Sequence, residues 1–253
     1  MIRIKTKEDI EKLREGGKRH AFILKKVSDM VAPGVTTKEL DEYAHQLIIE
    51  GGDTPAFLGY TPEGVSYPYP ASLCVSVNDE IVHGIPSDFV LEEGDIVSLD
   101  LGLVHKGMIT DAAITVPVGN VSKEAEKLMN ITREALSVAI KQIKPGNKTG
   151  DIGNAIEKFV EPYGYGIVKI LSGHGVGYSV HEDPYVPNYG KAGTGDELVP
   201  GMVIAVEPML NLGTDEVFVT DDEYTYITAD EKISAHFEHT ILVTEDGCEV
   251  LTK

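Results

Sequence analysis

Residues 33–44 read PGVTTKELDEYA and residues 145–156 read PGNKTGDIGNAI, and the two stretches align without gaps at an offset of 112 residues. Each stretch opens with a Pro-Gly pair, which interrupts a helix. Three apolar residues recur at helical spacing in front of each pair: Leu24, Val27 and Val31 in the first copy, and Leu136, Ala139 and Ile143 in the second. Each half of the chain is therefore predicted to form a helix, a break and a second helix.

A second pair of similar stretches follows in the same order. LEEGDIVSLD at 91–100 aligns with DELVPGMVIAVE at 196–207 at an offset of 107 residues, which matches Asp100 with Glu207. Either alignment alone could be coincidence, but two in the same order favour an internal duplication. If the halves pack about an approximate two-fold axis, the acidic residues that end these strands face each other across a shared cleft.

The repeat predicts the fold class. We expect an α+β chain with helices packed on a mainly antiparallel sheet, built as one domain over residues 1–253 from related halves at about 5–120 and 121–250. A chain of 253 residues is long enough to bury a sizeable core.

Periodicity and helix-breaking residues predict the individual elements. Helices are expected at 7–31, 37–50 (capped by Thr36 or Thr37), 122–143 and 149–163. Strands are expected where β-branched and apolar residues dominate, at 73–77, 96–104, 108–116, 202–206 and 239–243. Residues 105–107, which read His-Lys-Gly, predict a hairpin turn, and residues 60–70 and 184–200 predict loops.

Composition excludes several classes of protein. Lys and Arg number 22 against 41 Asp and Glu, and the formal charge of −19 disfavours nucleic-acid binding. Two cysteines, Cys74 and Cys248, are too few for a disulfide framework. Because the sequence contains neither a signal peptide nor an apolar run of membrane-spanning length, we expect a cytoplasmic protein with no membrane partner. A monomer is the expected state.

Four acidic residues stand at strand positions in apolar surroundings: Asp100, Asp111, Glu207 and Glu238. A single such residue is most simply a strand-end carboxylate that faces water. Four in one cleft would repel strongly, because two carboxylates about 4 Å apart repel by roughly 4 kcal/mol at an effective dielectric constant near 20. Two divalent cations would compensate the four charges, and the glycine-flanked His174 is the natural nitrogen ligand.

Several motifs together make the chain recognisable. They are NDEIVHGIP at 78–86, the spacing of Asp100 and Asp111, GHG at 173–175, HEDP at 181–184, Glu207-Pro208 and FEHT at 237–240. Over nearly its whole length, the sequence resembles the type I methionine aminopeptidases, which have the pita-bread fold. The resemblance implies removal of the initiator methionine from nascent polypeptides, with small second residues favoured.

The resemblance also implies roles for the candidate site residues. Asp100 would chelate one metal ion, Asp111 and Glu238 would bridge two, and His174 and Glu207 would complete the other site. The two divalent ions would be Co, Mn, Fe or Zn. Glu207 would also carry the proton during hydrolysis.

Two further histidines are implied as catalytic and substrate-binding residues. His181 would hydrogen-bond the scissile amide, and His83 would help to position or protonate the substrate. His239 would point to the opposite face of its strand from Glu238 and is interpreted as structural.

The methionine side chain needs an apolar pocket, and the resemblance points to Tyr60, Tyr69, Cys74 and Phe237 near it. The sequence departs from the common pattern here. Tyr224 stands where an indole is expected, Val180 where an aromatic residue is usual, and residues 61–67 look like an added stretch.

Two other functions stay open. Proline-specific peptidases share the ligand set but carry a large additional N-terminal domain, and a non-catalytic relative of the fold would serve as a binding module. Type II enzymes carry an insertion for which the separation of 31 positions from Glu207 to Glu238 leaves no room. The expected partners are peptides with N-terminal methionine and nascent chains, with the ribosome as a candidate docking partner.

Overall fold

The computed structural model describes residues 2–62 and 64–253. Within these residues, four α-helices form two consecutive pairs. They are α1 (Lys7–Met30), α2 (Thr37–Glu50), α3 (Lys123–Ile140) and α4 (Thr149–Val160), the last followed by a 3₁₀ turn at Glu161–Tyr163. The predicted helices are therefore confirmed, each with ends within three residues of the expected ones.

Capping side chains set the starts of the first two helices. The Thr6 hydroxyl accepts from the Asp9 backbone N–H while the Asp9 carboxylate accepts from the Thr6 N–H. Thr36 and Glu39 repeat this capping box at α2, so Thr36 is the cap.

Helix α3 ends earlier than the apolar pattern suggested. The backbone N–H groups of Gln142 and Ile143 donate to carbonyls three residues back, at 2.9 and 3.0 Å, so the chain tightens into a turn. Pro145 follows closely, and a proline disfavours helical backbone in the residue before it.

The strands are short except for one long hairpin. They are β1 (Thr54–Pro55), β2 (Leu73–Val77), β3 (Glu80–Val82), β4 (Ile96–His105), β5 (Met108–Pro117), β6 (Gly166–Ile167), β7 (Gly173–Gly175), β8 (Glu182–Val186), β9 (Val203–Val206), β10 (Met209–Asn211), β11 (Val217–Val219), β12 (Tyr226–Thr228), β13 (Ser234–His236), β14 (His239–Val243) and β15 (Cys248–Val250).

All the pairings between these strands are antiparallel. In the first half, β4 pairs with β5 along its whole length and also with β1 and β2. In the second half, one sheet has the order β15-β14-β9-β7-β8. Two smaller sheets, β13-β10-β6 and β11-β12-β3, complete the described fold.

The turn predicted at residues 105–107 is confirmed. His105 pairs with Met108, which leaves a two-residue turn of Lys106 and Gly107 with φ of 49° and 80°. Both residues adopt the left-handed backbone conformation, as a type I′ hairpin requires.

The loop predicted at residues 184–200 is wrong at its start, because Glu182–Val186 forms strand β8. Tyr185 pairs with His174 at the edge of the second-half sheet. An edge strand tolerates Pro184, whose missing N–H is not needed by a second neighbour.

The two helix pairs cover separate cores. Helices α1 and α2 pack on β2, β4 and β5 around residues such as Leu40, Leu73 and Leu99. Helices α3 and α4 pack on β9, β10 and β14 around residues such as Leu128 and Ile152. The α+β class is therefore confirmed, whereas the single-domain assignment and its repeat boundaries stay predictions.

In residues 2–62 and 64–253, no helix combines the length and the apolar character that crossing a membrane requires.

Candidate metal centre and substrate cavity

Two of the predicted acidic ligands lie on neighbouring strands of the long hairpin. The register pairs Asp100 with Ala113, two residues beyond Asp111, so the two aspartates are diagonal neighbours on one face of the sheet. The Glu238 N–H donates to the Ala113 carbonyl at 2.8 Å, and the Asp111 N–H donates to the Thr240 hydroxyl at 2.8 Å. These bonds join β14 and the residue before it to the hairpin and bring the third carboxylate to the aspartates.

The remaining two predicted ligands come from the second-half sheet. His174 lies on β7 opposite Ala205 of β9, and Glu207 follows β9 directly. The His174 Nε2 lies 3.4 Å from the Glu207 Oε1. The His174 Nδ1 lies 2.9 Å from the Gly175 carbonyl, which can only accept, so Nδ1 carries the proton and Nε2 offers its lone pair.

The donor set fits a cation. Ligand atoms of Asp111, His174 and Glu238 all lie within 4.8 Å of one another. Buried oxygens of Asp100, Asp111 and Glu238 have no hydrogen-bond partner within the described residues. Because unpaired buried acceptors are costly, oxygens that converge in this way on one imidazole nitrogen are what a hard or borderline divalent ion requires.

Without a cation, the electrostatics of the cluster are unfavourable. Burial raises the pKa of Asp100 to about 7. Burial and the neighbouring carboxylates raise the pKa values of Asp111 and Glu238 well above the ordinary range, and burial together with Asp100 does so for Glu207. Burial lowers the pKa of His174 to about 3. The site therefore holds acids whose charges need compensation and an imidazole that stays neutral, as a metal ligand must.

The cluster opens into a cavity that most of the other predicted site residues line. All five predicted metal ligands reach its wall, together with His83, His181, Tyr60, Tyr69 and Cys74. The two departures noted in the sequence, Val180 and Tyr224, line it as well.

His83 sits in a strained backbone conformation beside the cluster. Its φ is 60°, which non-glycine residues rarely adopt, and its ring meets Tyr226 edge-on at 5.7 Å between centroids. Burial lowers the pKa of His83 to about 4. Non-glycine residues held in this region cluster at functional sites, because the surrounding structure must impose the conformation.

His181 lies on the exposed rim of the cavity. Its ring centroid is 4.4 Å from that of His174, and its Nδ1 lies 2.9 Å from the Tyr60 hydroxyl. Desolvation by its neighbours lowers the pKa of His181. The imidazole of His181 therefore lies between the predicted metal ligands and the entrance of the cavity.

The apolar end of the cavity is built from aromatic residues and one thiol. The Tyr69 hydroxyl donates to the Gly84 carbonyl at 2.8 Å, and its ring meets Tyr224 edge-on at 5.1 Å. Cys74 is buried beside them, and burial raises the pKa of its thiol. Phe57, which the sequence analysis did not single out, completes this cluster.

Phe237 is the exception among the predicted pocket residues. Successive side chains of an extended segment point to opposite faces, and Glu238 takes the face of the cavity. Phe237 therefore packs into the second-half core with Ile96 and Leu136 and does not line the cavity. His239 also points away from the cavity, where its Nδ1 lies 3.0 Å from the Thr252 hydroxyl.

One residue near the site escaped the sequence analysis. His236 is buried, its Nε2 lies 3.8 Å from the Glu207 Oε2, and neither ring nitrogen has a hydrogen-bond partner within the described residues. Its position two residues before Glu238 puts it on the same side of an extended segment, which was the available signal.

Comparison with known proteins now decides the family. The model of metallopeptidase family M24 matches residues 11–245. The chain belongs to this family. A methionine aminopeptidase of Clostridium perfringens is 44% identical over 252 residues, covering 100% of this chain and 99% of the relative. Methionine aminopeptidase 1 of Bacillus subtilis is 42% identical over 253 residues, covering 100% of both.

A solved structure supports the same family assignment. The methionine aminopeptidase of Thermotoga maritima superposes with a TM-score of 0.96 at 44% identity, over 100% of both chains. The resemblance inferred from the motifs and the expected pita-bread fold are therefore confirmed. As a member of family M24, the chain is a hydrolase that uses divalent metal.

Proposed function

We propose that this metallopeptidase removes the N-terminal methionine from nascent polypeptides and favours small second residues. The observation that carries the proposal is the convergence of three buried carboxyl groups, the largely buried Glu207 and one neutral imidazole at the base of a cavity lined by aromatic residues and a thiol. An apolar pocket with a polarisable wall suits the thioether of methionine.

Asp100, Asp111, His174, Glu207 and Glu238 would hold two divalent ions of Co, Mn, Fe or Zn. When bound, such ions polarise a scissile carbonyl and lower the pKa of water, so that hydrolysis proceeds near neutral pH. The buried acidic cluster also attracts a protonated α-amine, which selects a free N-terminus over an internal peptide bond.

The other side chains act on the substrate directly. Glu207 takes a proton from the attacking water at a carboxylate oxygen and passes it to the leaving amine. His181 donates a hydrogen bond from Nε2 to the scissile carbonyl, and His83 helps to position or protonate the substrate. Tyr60, Tyr69 and Cys74 enclose the methionine side chain, and the support for their role is their place on the cavity wall. Phe237 lacks that support.

The cellular setting follows from the same function. Nascent chains are made in the cytoplasm, and we assign the protein to that compartment. It acts as a monomer on peptides with N-terminal methionine, and docking at the ribosome would bring it to them as they emerge.

The test is peptide hydrolysis after the purified protein has been loaded with Mn²⁺. We expect release of methionine from Met-Ala-Ser, no cleavage of an Ala-Pro substrate, and loss of turnover in Glu207→Ala. Cleavage that depends on proline would assign the chain to the proline-specific peptidases instead. Failure to cleave either peptide while Mn²⁺ is bound would favour a binding module.

A further inference from the structure

The hydroxyl of Tyr60 contacts one ring nitrogen of His181, Nδ1. The distance from this hydroxyl to Nδ1 is 2.9 Å, and the two ring centroids are 5.6 Å apart. A neutral imidazole has one nitrogen that donates and one that accepts. Whichever role Nδ1 takes in this hydrogen bond, Nε2 takes the other.

We propose that Tyr60 is a positioning residue, whose hydroxyl donates to Nδ1 of His181 and so keeps the proton on Nε2. The inference rests on the proposed function, in which His181 donates to the scissile carbonyl. An imidazole with its proton on Nδ1 would present a lone pair to that carbonyl and repel it. Tyr60 therefore acts on the reaction through the tautomer and orientation of His181.

Tyr224 supports the backbone on which Tyr60 lies. The Tyr224 hydroxyl donates to the Tyr67 carbonyl and lies 3.4 Å from the Tyr60 carbonyl. The Tyr224 ring is buried against Tyr69, and this packing holds its hydroxyl in one position. Such support matters because His181 is on the rim, where an unsupported side chain would exchange between rotamers.

Ser66 and Tyr67, from the predicted added stretch at 61–67, contribute the rest of this support, and Glu63 of that stretch lies outside the described residues. The Ser66 backbone N–H and hydroxyl donate to the two carboxylate oxygens of Glu223, at 2.7 and 2.8 Å. The Tyr67 hydroxyl donates to the Asp222 carbonyl at 2.6 Å. Ser66 and Tyr67 are therefore tied to the turn that carries Tyr224.

The kinetic test is Tyr60→Phe, which keeps the ring and removes the hydroxyl. Loss of one hydrogen bond predicts that kcat for Met-Ala-Ser falls about twofold to tenfold while KM changes less than about twofold. In a His181→Ala background the same change has no further effect, because the group through which it acts is absent. Tyr163→Phe, which removes a hydroxyl far from the cavity, is the matched control, and thermal unfolding checks that each variant folds.

A second readout does not depend on activity. Nitrogen-15 NMR of the metal-free protein distinguishes the two imidazole tautomers, and His181→Ala assigns the signal. We expect the Nε2–H form in the wild type and a mixture of tautomers in Tyr60→Phe.

The outcomes separate this inference from the proposed function. A wild-type His181 with its proton on Nδ1, or equal losses of kcat in the presence and absence of His181, would overturn the role of Tyr60. A wild type that releases no methionine would refute the proposed function, and the NMR result would still decide whether Tyr60 sets the tautomer.

Discussion

Replacing Asp111 by asparagine is expected to stabilise the metal-free protein. Asp111 is buried beside Asp100, and one of its oxygens lies within 4.8 Å of an oxygen of Glu238. If both groups were ionised, two carboxylates at that distance would repel by about 3 kcal/mol at an effective dielectric constant near 20. An asparagine amide removes the charge and can still donate to Asp100.

The expected gain depends on pH. Burial raises the folded-state pKa of Asp111 above its unfolded value, so protonation relieves the repulsion at low pH and the cost of the charge grows as pH rises. We therefore expect Asp111→Asn to increase the free energy of unfolding by about 1–3 kcal/mol at pH 8, with a smaller gain at pH 5.

The same substitution is expected to weaken the response to metal. A ligand at about 100 times its Kd stabilises a protein by about 2.7 kcal/mol, and Asp111→Asn removes one of the oxygens that would hold the ion. The variant should therefore be more stable than the wild type in EDTA and gain less from Mn²⁺.

The assay is guanidinium unfolding followed by circular dichroism, in EDTA and in Mn²⁺. Asp88→Asn is the matched control, because the Asp88 side chain is 94% exposed and its charge lies outside the site. An Asp111→Asn protein that is less stable than the wild type in EDTA, or one that keeps the full gain from Mn²⁺, would refute the reasoning.

Three further predictions concern stability, each measured by urea unfolding. Gly17→Ala should lower the free energy of unfolding by about 1–3 kcal/mol, because the new Cβ would lie 2.2 Å from the Leu251 carbonyl oxygen, and an unchanged value would contradict that packing. Glu80→Gln should stabilise the protein by about 1–2 kcal/mol at pH 7. Burial raises the pKa of Glu80 to about 6, so the gain should vanish below about pH 4.5, and a gain that persists there would have another cause. Lys5→Met should cost about 3 kcal/mol, because it leaves Glu182, whose side chain is 4% exposed, with only the exposed Arg3 guanidinium at 3.9 Å as an ion-pair partner, and a neutral result would show that the Lys5 pair is replaceable.

The helices and the ligand cluster could be predicted from the sequence, because both depend on local or repeated patterns. The Pro-Gly breaks and capping residues act within a few positions, so they locate α1 to α4 without knowledge of the fold. The duplication matched Asp100 with Glu207, and the structure brings both to one cavity wall. This long-range pairing could be inferred only from the predicted internal duplication, because no local pattern records it.

The errors arose where the packing partner decides the outcome. Strand β8 contains a proline and forms only because His174 and its neighbours offer a sheet edge, which no local pattern records. Alternation along the extended segment from Glu238 puts Phe237 on the face away from the cavity and His236 on the face toward Glu207. The role of Phe237 in substrate binding stays a prediction.

The most direct test of the account is anomalous scattering from crystals soaked in Mn²⁺. We predict two ordered metal peaks within coordination distance of Asp100, Asp111, His174, Glu207 and Glu238. Crystals that contain these five side chains well ordered, with no metal peak among them at saturating Mn²⁺, would contradict the central claim.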